Sequence, residues 1–261
     1  MIAKKYDIVS HRSPQFCYGA FINLKIKLTM TKVVILGTAH LSTTPGKCSP
    51  DGNFREAEYS RQLVNSIKVK LESLGLLVFI DHAELAPTAD LLKSSGSNQQ
   101  QKELNYRCKR VNEICNKYGT ANCIYVSIHV NGAGDGTKWL TAGGWSAYTT
   151  KGKTKADFLA TCLYAAARNN LTEYEKYMDA GKLLGKSGKN QVPYRTDTSD
   201  GDDDLESDFY VLKNTKCPAV LTENLYQDNE SDVAFLTSQV GRNSLERLHV
   251  EGILAYFNQI K

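Results

Sequence analysis

The chain reads as one α/β layered domain, with a mostly parallel central sheet and helices on both faces. Two observations predict it. Short β-branched runs such as Val33-Val34-Ile35-Leu36 and Cys123-Ile124-Tyr125-Val126 alternate with segments whose apolar residues recur at helical spacing. The composition, 41% hydrophobic and 23% charged over 261 residues, is enough for one sizeable core and shows no bias toward disorder or fibre.

The first strand is expected over Val33-Val34-Ile35-Leu36-Gly37, ending at a glycine and feeding a loop that carries His40. A turn-rich stretch, Thr44 to Asn53, follows. Leu63, Ile67, Leu71 and Leu74 then recur at helical spacing until Gly75, which stops the helix and places Glu56 in its first turn. A second strand is expected at Leu76 to Ile80, a helix at Leu104 to Tyr118, and a third strand at Cys123 to Ile128 with His129 at its end. Further along come a strand at Gly144 to Tyr148, a helix at Ala156 to Arg168 and a last core strand at Pro218 to Thr222. A segment at Asp232 to Val240 and a helix near Leu245 to Phe257 close the chain. Met30 stands directly before the first strong strand, so residues 1–30 read as an N-terminal extension and 31–261 as the domain.

Several function classes are disfavoured by the residues themselves. A formal charge of +4 is too small and too scattered to imply nucleic acid, although it suits an anionic polymer such as cell wall. No apolar run reaches the roughly eighteen residues of a membrane span, and Asp7, His11, Arg12 and Ser13 interrupt any signal-peptide core. The seven cysteines are odd in number, far apart and without a C-x-x-C pair, which fits buried free thiols better than a disulfide framework.

In layered α/β sheets, functional groups collect beyond the carboxyl ends of the strands. His40, His129 and Glu223 each follow an expected strand at that end, and Glu56 enters from the start of the first helix. Two histidines and a carboxylate form a known catalytic zinc set with a position left open for water, and a further carboxylate can take that water's proton. Taken singly, each residue has a plainer explanation: a histidine after a strand is usually a surface or hydrogen-bonded group, and a glutamate in a first turn is favoured by the helix dipole alone. Spacing does not decide between these, since no compact motif such as H-E-x-x-H is present.

The order of the blocks is more specific. Ile35-Leu36-Gly37-Thr38-Ala39-His40, Arg55-Glu56-Ala57-Glu58-Tyr59-Ser60-Arg61, Val126-Ser127-Ile128-His129-Val130-Asn131 and Pro218-Ala219-Val220-Leu221-Thr222-Glu223-Asn224 resemble, in sequence, the four blocks of the zinc N-acetylmuramoyl-L-alanine amidases of amidase type 3. The resemblance runs from about residue 31 to the end. It implies His40, Glu56 and His129 as zinc ligands, Glu223 as the catalytic base and Asn131 as a substrate contact. It also implies a monomeric enzyme that needs zinc and cuts the bond between N-acetylmuramic acid and L-alanine in peptidoglycan. Glu58 competes with Glu56, but the register that puts Ser60 where the family often has asparagine favours Glu56. Two departures stand out: Leu41, Ser42 and Thr43 replace the glycines that usually follow the first histidine, and the segment from Gly132 to Pro218 is long and only partly similar.

Two rival readings remain. A carboxypeptidase-type zinc peptidase would need a cationic clamp, for which Arg195 is the candidate, and a wall-binding module could keep the fold without turnover. The wall is the expected place of action. The lack of an evident export signal suits a phage-encoded lysin that leaves the cell through a separate pore, or a signal outside this sequence. Trp139, Trp145 and Tyr148 suit either a substrate platform or core packing. The acidic run Asp200 to Glu206 lacks calcium-loop spacing and reads as a solvated loop. His11, His82 and His249 read as solvated or structural.

Overall fold

The computed structural model describes residues 31–183 and 191–259, so the expected extension, residues 1–30, lies outside the described residues. Seven strands form one sheet: β1 (Val33–Thr38), β2 (Leu77–Ile80), β3 (Cys123–Asn131), β4 (Gly143–Thr149), β5 (Gln191–Tyr194), β6 (Leu205–Glu206) and β7 (Ala219–Tyr226). Their order is β2-β1-β3-β7-β4-β5, with β6 beside β4. The first four pair in parallel, whereas β4 runs antiparallel to β7 and carries β5 and β6 parallel to itself. The sheet is therefore mixed at one side and parallel at the other.

Alternation along the strands divides the core into two layers. Val34 and Leu36 of β1, Ile124, Val126 and Ile128 of β3 and Val220 of β7 face α1 (Glu56–Ser73), α4 (Lys155–Asn170) and α8 (Gln239–Gln259). Val33, Ile35, Cys123, Tyr125, Ala219 and Leu221 face the other way, against α3 (Gln99–Tyr118) and α6 (Tyr210–Lys213). Strands covered on both faces bury every residue, which is why β1 contains no exposed position. Each fully buried aliphatic side chain contributes about 1.5–3 kcal/mol, so these central strands anchor the domain.

Most expected elements are present, most of them longer than expected, although β2 begins one residue later, at Leu77, and β7 begins at Ala219. Two differences bear on function. His129 and Glu223 lie within β3 and β7, not after them, and stand opposite each other in register. The ladder continues past both to the pair of Asn131 and Tyr226, with a register shift between His129 and Asn131, and Asn224 and Leu225 are buried. The chain after β7 also forms two helices, α7 (Glu230–Thr237) and α8, because Ser238 adopts extended backbone between them. The short α2 (Ala89–Leu92) and α6, the helix α5 (Thr172–Leu183) and strands β5 and β6 are not expected from the sequence; β5 and β6 are too short to show a period of their own.

The six described cysteines are free thiols, five of them buried, in keeping with the expectation from their spacing. His249 is buried and shares a hydrogen bond with Thr222 while its Nδ1 meets the Leu245 carbonyl, which is a structural role. His82 is likewise buried and pairs with Glu84.

Helices α4 and α8 touch closely at Gly252, where an added Cβ would lie 2.9 Å from the Leu163 Cα. Overpacking of this kind typically costs about 1–3 kcal/mol. Gly252→Val is therefore expected to lower the midpoint of thermal unfolding by several degrees, measured by circular dichroism.

Candidate functional site

Glu56 is the first residue of α1, so its carboxylate stands at the positive end of an eighteen-residue helix. That helix start is tied to the preceding loop by the Glu56 amide donating to the Lys47 carbonyl at 3.1 Å. The carboxylate is 1% exposed. Its Oε1 accepts the Val130 amide at 3.1 Å and lies 3.1 Å from His129 Nδ1, while Oε2 lies 3.5 Å from His40 Nε2 and 4.0 Å from Lys47 Nζ. Glu58, two residues on, is exposed, and it is Glu56 that stands within reach of both histidines.

His40 follows β1 with φ at +40°, a left-handed conformation uncommon for a residue with a side chain. The surroundings hold it there. The preceding residue is pinned at both ends: the Ala39 amide donates to Ser60 Oγ at 2.9 Å, and Arg61 Nη1 donates to the Ala39 carbonyl at 2.8 Å. Arg107 Nη2 reaches the His40 carbonyl at 3.5 Å. The loop that lacks the expected glycines is secured by Leu41 in the core and by Ser42 bonding the Leu85 carbonyl through both its amide and its hydroxyl. His129 is positioned from β3, and its carbonyl accepts Asn224 Nδ2 at 2.9 Å. Ser60 Oγ donates to the Ile128 carbonyl at 2.6 Å, so one hydroxyl links the backbones leading to both histidines.

The donor-type atoms of His40, Glu56 and His129 all lie within 4.8 Å of one another, an arrangement able to hold a metal ion. Around one zinc with bonds near 2.0–2.1 Å, neighbouring tetrahedral ligands stand about 3.3 Å apart, close to the 3.1 and 3.5 Å found between Glu56 and the two histidines. Glu56 Oε2 is buried without a hydrogen-bond partner, and so is Glu223 Oε2. An orphaned buried acceptor such as Glu56 Oε2 calls for a cation or a donor, and the His40, Glu56 and His129 set therefore fits a metal.

Electrostatics support the same fit. Burial pulls the His40 pKa down to about 3, against the opposing pull of Glu56, so its imidazole is neutral with a lone pair free. For Glu56, burial pushes the pKa up, but the hydrogen bond from His129 and the nearby His40, His129 and Lys47 outweigh it and leave the carboxyl below its ordinary value. Glu223 is held well above the usual carboxylate range, first by burial and then by the charge of Glu56.

His40, His129, Lys47 and Glu223 line one cavity of about 260 Å³, together with Gln100, Leu104, Phe209 and Tyr210. Asn131 does not line it; its side chain accepts the amide of Gly132 at 2.8 Å. Arg195 is also outside it, with Nε donating to the Gly143 carbonyl and the guanidinium over the Tyr226 ring, so the geometry gives no support to a terminal-carboxylate clamp in this cavity. Trp145 belongs to the core, where its Nε1 donates to Asn224 and its ring meets Tyr164 edge-on. Trp139 is half-buried, and Tyr148 packs against Phe209.

Sequence reasoning passed over the support beneath His40. Arg107, buried in α3, bonds Asp81, Glu103 and Thr38, and Tyr125 donates to the second oxygen of Asp81. The available signal was the Glu103 and Arg107 pair at i,i+4 in line with the apolar face of the helix.

Comparison with known proteins places these features in context. Residues 34–255 match the family model Amidase_3, described as N-acetylmuramoyl-L-alanine amidase. A solved N-acetylmuramoyl-L-alanine amidase from Clostridium difficile 630 superposes with a TM-score of 0.61 at 17% identity, covering 88% of this chain and 99% of that one. The CwlD amidase from Clostridioides difficile, solved in complex with the GerS lipoprotein, gives 0.59 at 20% identity, covering 87% of this chain and 99% of that one. An endolysin of Bacillus phage SPP1 is 44% identical over 52 residues, which is 20% of this chain and 19% of the endolysin.

Removing Arg107 would leave Asp81 and Glu103 buried without their cation, a loss that typically costs about 3–5 kcal/mol. Arg107→Met is expected to lower the denaturant midpoint by a corresponding amount in equilibrium unfolding.

Proposed function

The chain belongs to the N-acetylmuramoyl-L-alanine amidase family, and from that premise we propose that it hydrolyses the amide between N-acetylmuramic acid and L-alanine in peptidoglycan with zinc held by His40, Glu56 and His129. The observation that carries this reading is the convergence of those three side chains in the cavity region that also contains Glu223. An amide resists neutral water; a zinc ion bound here supplies a water with a pKa near 7 and a polarised carbonyl.

The protein's own groups account for the rest. Neutral His40 keeps a lone pair available across the working pH range, and the Val130 amide holds Glu56 in one orientation. Glu223, with its proton affinity raised by burial and by Glu56, is suited to take a proton from water and return it to the departing amine of L-alanine. Asn131, outside the cavity, is assigned to parts of the substrate that extend beyond it. The wall is the proposed place of action. Among the described residues no helix is long and apolar enough to cross a membrane.

Three outcomes test this. Digestion of purified peptidoglycan should release new L-alanine amino termini, detected by end-group labelling; a binding protein without turnover would release none, and a peptidase would expose other termini. His40→Ala and His129→Ala should each abolish both bound zinc and turnover, measured by elemental analysis and end-group release. Glu223→Gln should keep zinc yet slow turnover by roughly a hundredfold or more, the usual worth of a positioned base; loss of zinc would make Glu223 a ligand. Residues 1–29 are proposed to be dispensable, so a protein beginning at Met30 should retain full turnover.

A further inference from the structure

The parallel strands have a second end, and the chemistry there is different. Lys32 precedes β1, Lys216 precedes β7, and β4, being antiparallel, delivers Lys151 and Lys155 to the same end. Together with Lys213 they line a cavity of about 960 Å³ that contains none of the residues of the His40 and His129 site. Five lysines line it against a single carboxylate, Asp208.

Their partners show how much of this charge is already balanced. Lys213 pairs with Asp208 at 3.1 Å, Lys216 donates to Asn116 at 2.9 Å, and Lys32 lies over the Phe257 ring. Only the first of these contacts is with an anion. Lys151 and Lys155 are exposed and make no hydrogen bond or ion pair among the described residues. Like-charged groups gathered around a concavity raise the local potential and concentrate anions within it. A cavity of this size takes a segment of polymer more readily than a single small ion, and evenly spaced charges at fixed distances suit several lysines at once.

We propose that this cavity is a binding site for a phosphodiester polyanion, specifically the polyol-phosphate polymers of cell walls, and that it holds the enzyme on the wall with the catalytic cleft at the opposite end of the strands left free. The choice of the wall as the source rests on the amidase reading; the basic cavity does not. A polyol-phosphate chain carries one negative charge per repeat at every physiological pH, and lysine meets phosphate as a point charge that needs no fixed fork geometry.

The test uses the full-length protein, with poly(glycerol phosphate), poly-L-glutamate, inorganic phosphate and a single-stranded oligonucleotide as separate probes, measured by calorimetry at 50 and 200 mM salt. Poly(glycerol phosphate) should bind most tightly and lose affinity as salt rises, since displaced counterions drive such contacts. The double variant Lys151→Ala, Lys155→Ala should bind it about tenfold more weakly, while turnover of a soluble muropeptide stays unchanged and reports an intact fold. Equal binding by the double variant would overturn the proposal. So would equal or tighter binding of poly-L-glutamate or the oligonucleotide, or binding of inorganic phosphate alone. A parent protein that binds the polymer but turns over no muropeptide would count against the amidase reading and leave the site standing.

Discussion

Parallel pairing of β1, β3 and β7 in a continuous register is the constraint from which the molecule's chemistry follows. Because Leu36, Val126 and Val220 are held side by side, the residues a few positions further on arrive together at one end of the sheet. His129 and Glu223 are direct partners in that ladder, and His40 follows the end of the neighbouring strand. The same register gathers the starts of those strands, with Lys32 and Lys216, at the other end. Layering on both faces keeps the register from slipping, since a shift of one residue would exchange the two buried sets of side chains.

Glu56 converts this alignment into a site. A carboxylate with almost no exposure needs compensating donors, and it finds them in the Val130 amide, in His129 and in the positive end of its own helix. These contacts fix α1 against β3 and draw the two histidines toward one point. Ser60, one turn further along the same helix, reinforces the arrangement by bonding the backbone beside each histidine. The helix thus contributes a candidate ligand and the brace for the other two.

The strained backbone at His40 is sustained by charge buried beneath it. Arg107 satisfies Asp81 and Glu103 while reaching the His40 carbonyl, and Tyr125 completes the set by bonding Asp81. The phenol of Tyr125 crosses directly under Gly37, where any Cβ would collide with it, so the glycine that ends the first apolar run is required by this network. Buried ionic groups add little net stability compared with apolar packing, but they tolerate few alternative geometries once paired. That rigidity is what a preorganised site uses.

The alternation of apolar runs and helical periods was enough to establish the fold class, the central strands and α1, because burial on both faces leaves a direct trace in residue type. The four blocks around His40, Glu56, His129 and Glu223 were also legible, since each stands next to such an element. Other features depended on distance in space. That His129 and Glu223 sit within their strands, that β4 runs antiparallel, and that Arg107 lies under His40 are consequences of packing between segments separated by 67 residues or more. The gathering of Lys32, Lys151, Lys155, Lys213 and Lys216 was invisible for the same reason: in sequence they are scattered surface cations, and only the crossing of the chain through the sheet brings their charges to one cavity.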